Sequence, residues 1–110
     1  MAKENVLELN ELNFEANVLG APGLVLVDFT AAWCGPCRAQ SPILERFAEE
    51  APKDVVVGSV DADAYPDLAS RYGVRALPTL LVFAGGKEVA RKVGLTNDDG
   101  IRKLVTRRAS

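Results

Sequence analysis

Hydrophobic positions along the chain switch between two spacings. Leu24-Val25-Leu26-Val27-Asp28-Phe29 is almost continuously apolar, as expected of a strand covered on both faces, and Val55 to Val60 repeats the pattern. From Cys34 to Glu50 the spacing changes: Ile43, Leu44, Phe47, Ala48 and Ala51 return at intervals of one, three and four, on one face of a helix. Pro42 lies inside that pattern and lacks a backbone donor, which predicts a kink. Val6 to Leu9 is a short strand. Asn10 can cap a helix through Leu12, Phe14, Glu15 and Val18 that Gly20 ends. A further short helix runs from about Pro66 to Tyr72. Leu80 to Ala84 and Lys87 to Val93 form a hairpin, since Gly85-Gly86 supplies the positive φ of a tight turn. Thr96 with Asp99 resembles a capping box that opens a last helix, with Ile101, Leu104 and Val105 inward.

The predicted order is βαβαβ, a short helix, then ββα. The first half calls for parallel strands joined by right-handed crossovers, and the second half adds an antiparallel hairpin at the sheet's edge. This is a three-layer α/β architecture, with a central mixed five-stranded sheet and four helices around it. No repeat, linker or low-complexity tract interrupts it, so residues 1–110 are expected to form one domain.

Composition narrows the chemistry. The chain has no histidine, which removes Ser-His and Cys-His dyads, His-held metals and the commonest general base. A net charge of -2 argues against nucleic acid or an anionic membrane as the main partner. Met1 to Asn10 carries Lys3, Glu4 and Glu8 with no leader-like apolar stretch, and the longest apolar runs are strand-sized. The expectation is a soluble cytoplasmic protein. Two cysteines are too few for a stapled secreted scaffold, and in a reducing compartment a pair is more often catalytic or metal-binding than structural.

Trp33-Cys34-Gly35-Pro36-Cys37 lies where a buried strand hands over to a helix. Residues three apart in a first helical turn stand about 5 to 6 Å apart, within disulfide range. Free N–H groups and the helix dipole favour a thiolate there, so Cys34 is expected to be the exposed nucleophile. Cys37, one turn further in, is placed to attack a mixed disulfide and release the product. Pro36 suits a first turn, where its missing N–H costs nothing. Three other readings compete. A zinc half-site lacks two ligands unless the chain dimerises; a structural disulfide gains little from so short a loop; and two cysteines can both be mere core residues.

Together with Val27-Asp28-Phe29 before it and Leu77-Pro78-Thr79 after it, this segment resembles the thioredoxin family. The resemblance spans essentially the whole chain, including Pro42, Tyr72-Gly73-Val74 and Gly94. It implies a thioredoxin fold and a protein-disulfide reductase that works by dithiol–disulfide exchange, needs no cofactor or metal, and is recharged by thioredoxin reductase. It further implies a monomer and a cis Pro78 facing the cysteines. A substrate groove would be formed by Trp33, Gly35, Pro36, Ala76, Leu77, Pro78, Val93, Gly94 and Leu95, where an extended peptide can pair with Ala76-Leu77. Gly35-Pro36 puts no charge between the cysteines, in keeping with a reductant. The rival reading is a redox-idle binding partner or subunit that uses the same surface.

Asp28 inside an apolar strand is disfavoured and costly if buried, unless it points to water at an edge or bulge. In the family this residue lies beneath the second cysteine and serves as a base, and desolvation would bring its pKa towards neutrality. Two positions depart from the family pattern. Ser59 stands where a lysine commonly pairs with that carboxylate, so Asp28 is expected to stay protonated to higher pH than in lysine-bearing relatives. Thr30 stands where many relatives carry tryptophan, which leaves Trp33 as the only one. Asp61, Asp63 and Asp67 suit loop and capping roles better than a cation site. Arg38 either adds positive potential beside Cys37 or is surface, and Arg107 and Arg108 are expected to complement the last helix's C-terminus.

Overall fold

The apolar run around Val27 forms the middle strand of the sheet, with neighbours on both sides. In the computed structural model, residues 5–109 are described, with side chains through residue 106. The strands are β1 (Leu7–Leu9), β2 (Val25–Thr30), β3 (Val56–Asp61), β4 (Thr79–Ala84) and β5 (Lys87–Val93), in spatial order β1-β3-β2-β4-β5. β1, β3 and β2 run parallel, whereas β4 is antiparallel to both β2 and β5. The connections explain the change of direction. β2 reaches β3 through the helix α1 (Gly35–Glu50), a crossover a parallel pair requires. β4 turns straight into β5 at Gly85 and Gly86, whose φ values of 59° and 81° suit a two-residue hairpin.

Two apolar layers cover the sheet. On one face Leu44 and Phe47 of α1 and Ile101 and Leu104 of the last helix, α3 (Asp98–Ala109), pack on Leu26, Val57, Leu80 and Val82. On the other, Phe14, Val18 and Leu68 pack on Val25, Val27, Phe29, Leu81 and Phe83; Leu68 belongs to the short helix α2 (Pro66–Arg71). The Phe14, Tyr72 and Phe83 rings meet in a cluster with centroids 5.3 to 5.9 Å apart. Because side chains alternate along β2, Leu26 and Asp28 face α1 while Val27 and Phe29 face away. Strand alternation therefore delivers Asp28 to the layer that holds the cysteines.

Several local expectations need correction. Cys34 is not in the first helical turn: it is the N-cap of α1, with extended φ −86° and ψ 115°. Helix α1 carries Pro42 inside it and continues to Glu50. Asn10 does act as a local cap, its Oδ1 accepting from the N–H groups of Leu12 and Asn13 at 2.8 and 2.9 Å. The element it leads into, though, is a five-residue π-helical turn, Glu15–Leu19, closed by the Gly20 N–H on the Glu15 carbonyl at 2.8 Å. The capping box at Thr96 does not form. Asn97 caps α3 instead, its Oδ1 accepting from the Gly100 N–H at 2.8 Å, and Thr96 packs so close that a side chain at position 100 would collide with its Oγ1. The side chains of Arg107 and Arg108 lie outside the described residues.

Candidate active site

The site grows out of the junction between β2 and α1. With Cys34 at the N-cap, Cys37 is the third helical residue, and its backbone N–H donates to Cys34 Sγ at 3.2 Å. A sulfur thus takes the place an Asp or Ser oxygen usually has at a helix start. This N-cap relation, rather than two places in one helical turn, is the physical sense of the three-residue spacing. The two Cα atoms stand 5.2 Å apart and the sulfurs are joined as a disulfide. The same N–H and the positive end of a 16-residue helix favour negative charge on Cys34 once the bond is reduced.

Cys34 is less open than its expected role suggests. It is 4% exposed against 1% for Cys37, because Ala31 and Leu77 pack around the pair. The Leu77 carbonyl oxygen lies 3.6 Å from Cys34 Sγ, and the Leu77–Pro78 peptide is cis. Thr79 holds this loop by donating its hydroxyl to the Ala76 carbonyl at 2.6 Å. The Gly94 N–H donates to the Pro78 carbonyl at 2.8 Å, which sets Gly94 and Leu95 beside the proline. Around these points Gly35, Pro36 and Ala76 are exposed, and Trp33, Val93 and Leu95 remain 67%, 52% and 49% exposed although they are large and apolar. Of the expected groove residues, Trp33, Gly35, Pro36, Ala76, Val93 and Leu95 are exposed, Leu77 and Gly94 half-buried, and Pro78 buried.

Asp28 is 3% exposed, and its Oδ1 has no hydrogen-bond partner. Burial pushes its carboxyl up to about 7, because the anion would lose its water without gaining a cation. Its register neighbours are Ser59 on β3 and Leu80 on β4. Asp28 and Cys37 line one cleft.

Three residues that the sequence reading left out of the site help to build it. Asp63 accepts the Trp33 indole N–H on Oδ2 at 2.6 Å, while Asp61 caps the turn before it through the N–H groups of Asp63 and Ala64. Gln40, fully buried, accepts the Thr96 N–H at 2.8 Å and so ties α1 to the loop that carries Leu95. Thr79 is the third. These contacts join residues up to 56 apart; local sequence carries no signal for them, apart from a glutamine standing where α1 turns inward. Arg38 is a surface residue whose guanidinium donates to the Ala32 carbonyl at 2.8 Å. Among the described residues no group of three acidic or thiol side chains converges to hold a metal, and no helix is long and apolar enough to cross a membrane.

Comparison with known proteins agrees with this geometry. The thioredoxin family model matches residues 5–107. The chain is 49% identical to a thioredoxin of Chlamydia muridarum over 87 residues, covering 79% of this chain and 84% of that one. It is 44% identical to a thioredoxin of Chlamydia trachomatis over 99 residues, covering 90% and 94% of the two chains. A solved mutant thioredoxin from Halobacterium salinarum superposes with a TM-score of 0.84 at 34% identity, covering 100% of this chain and 96% of that structure. Matched length, identity and fold, with a cysteine pair seated at a helix start, place the chain in the thioredoxin family, as a thiol–disulfide oxidoreductase that reduces protein disulfides.

Proposed function

We propose that Cys34 is the attacking thiolate, Cys37 the resolving thiol, and Asp28 the base that serves Cys37. The observation that carries this assignment is the Cys37 N–H donating to Cys34 Sγ. It stabilises negative charge on Cys34 and none on Cys37, so the two thiols are unequal from the start. In the reduced protein, Cys34 attacks one sulfur of a substrate disulfide. The substrate S–S bond breaks, one substrate sulfur leaves as a thiolate and takes a proton from water, and the other is joined to Cys34. Cys37 then passes its proton to the Asp28 carboxylate, attacks Cys34 Sγ and expels the second substrate thiolate, which also takes a proton from water. The Cys34–Cys37 disulfide forms, and the substrate has gained two electrons and two protons. Asp28 returns its proton to solvent.

The groove of Trp33, Gly35, Pro36, Ala76, Leu77, Pro78, Val93, Gly94 and Leu95 binds the substrate as an extended peptide along Ala76-Leu77; the exposed apolar side chains beside the sulfur support this. The uncharged Gly35-Pro36 pair suits a reductant. Thioredoxin reductase recharges the protein, which works as a single-domain monomer in the cytoplasm, without nucleic acid or membrane partners. Reduction of insulin disulfides tests the reading. Cys34→Ser abolishes turnover, and Cys37→Ser accumulates a mixed disulfide visible as a mass adduct that dithiothreitol removes. Insulin turnover that survives Cys34→Ser would overturn Cys34 as the nucleophile, whereas an unmodified chain that reduces no insulin would leave only the redox-idle role.

A further inference from the structure

The cleft behind the disulfide has an outer end that the reduction just described does not use. It holds about 550 Å³ and lies between α1 and the sheet, lined by Asp28 and Cys37 at its inner end. None of Trp33, Ala76, Leu77, Pro78, Val93, Gly94 or Leu95 lines it, so it is separate from the substrate groove. Strand register builds its floor. Glu8 on β1 is level with Ser59 on β3, and Ser59 is level with Asp28 on β2. With strands about 4.8 Å apart, this polar row runs roughly 10 Å from an exposed acid to a buried one.

The other charged and titratable groups that line the cleft are Glu8, Glu45, Asp61, Arg38, Tyr65 and Cys37. Three rim carboxyl groups therefore meet one guanidinium, whose Nη1 is already held by the Ala32 carbonyl. At the inner end the buried Asp28 Oδ1 has no partner at all. Carboxylates along a half-open cleft that Val6, Leu9 and Leu44 also line, ending on an unpartnered carboxylate, select a cation with an aliphatic stem. The acids do not converge as a metal ion needs; they are strung out along the cleft. We propose that this cleft binds a linear aliphatic diammonium ion, one end on Asp28 and Ser59 and the other on Glu8, and that binding holds Asp28 ionised. The consequence for catalysis rests on Asp28 serving Cys37: an occupied cleft raises the share of Asp28 ready to take the thiol proton.

Linkage sets the sign. A cation that favours the ionised carboxylate lowers the pH at which Asp28 titrates, and its own affinity rises as pH climbs through that titration. The test follows the Asp28 carboxyl carbon by NMR through a pH titration of the intact oxidised chain. It is run with butane-1,4-diamine, with methylammonium, and with sodium chloride at matched ionic strength. The expected result is an Asp28 ionisation constant raised at least about threefold by the diamine, half a pH unit or more in midpoint, and by neither control. Amide shifts gather at Glu8, Asp28 and Ser59, Asp28→Asn flattens the pH dependence of affinity, and Glu8→Gln reduces the diamine to the level of methylammonium. A diamine response equal to that of salt or of methylammonium overturns the site, as does an affinity that does not change with pH. Insulin reduction by the unmodified chain without amine is read in parallel. A normal rate with no midpoint shift sinks the cation site alone, whereas an absent rate sinks the reductase roles.

Discussion

Replacing Asp28 by asparagine removes a group whose ionisation opposes folding. The carboxyl titrates near 7 in the folded protein against an ordinary 3.8, and burial is the cause. Between those two values the native state keeps a proton that the unfolded chain has lost. Stability is therefore highest below the unfolded value and falls as pH rises through the window, levelling off above the folded value. About three pH units at 1.36 kcal/mol each make the loss about 4 kcal/mol. A domain of this size has only about 5 to 15 kcal/mol in total, so the effect is large. Asparagine is neutral throughout, and whatever its amide loses by burial does not vary with pH. The assay is guanidinium unfolding of oxidised wild type and Asp28→Asn at several pH values, read by circular dichroism and by Trp33 fluorescence. The variant should gain on wild type by about 4 kcal/mol between pH 3.5 and pH 8.5. A difference that stays constant across that range, within about 1 kcal/mol, would refute a desolvated Asp28.

The same variant bears on catalysis. Cys37 is buried and must give up its proton to attack, so loss of the base should slow resolution by about 100-fold near pH 7. Stopped-flow decay of the mixed disulfide should show that loss fading above pH 9. Ser59→Lys places an ammonium at Asp28's register neighbour and should lower its titration midpoint by about one to three units, read by carboxyl NMR; an unmoved midpoint would mean that side chain does not reach. Leu95→Asp puts charge on the exposed apolar surface, so KM for insulin should rise several-fold while the rate with a small aromatic disulfide is unchanged. Gln40→Leu leaves the Thr96 N–H without its acceptor and should cost about 1 to 3 kcal/mol in urea unfolding; a neutral result would mean water replaces the amide.

Much of the architecture was legible because its signals are local. The apolar run at Val25 to Phe29, the one-sided stripe through Leu44 and Phe47, and the Gly85-Gly86 turn each specify an element within a short window. The misreadings came where two local solutions compete. Thr96 and Asn97 can both cap α3, and the choice fell to Asn97 because Thr96 Oγ1 is pressed against Gly100 and its N–H is drawn to Gln40. The turn after Asn10 winds as π-helix where an α-helix was expected, with its closing bond from Gly20 to Glu15. Trp33 to Asp63 and Gln40 to Thr96 join residues 30 and 56 apart, and no pattern along the chain announces them, whereas Cys34 beside Leu77, 43 apart, was expected through the resemblance that Leu77-Pro78-Thr79 carries.

The sequence by itself determined the order of elements, the pairing of Cys34 with Cys37 across a helix start, and the oddity of an aspartate in an apolar strand. The family resemblance already set Ser59 beside that aspartate, and only the tertiary structure decided how completely its surroundings close. Strand alternation turns Asp28 towards α1, and register sets Ser59 beside it. Packing then seals one oxygen from water without giving it a partner. Period and spacing are properties of neighbouring residues, whereas dielectric surroundings depend on every element that closes over a group, and so appear only when the chain has folded.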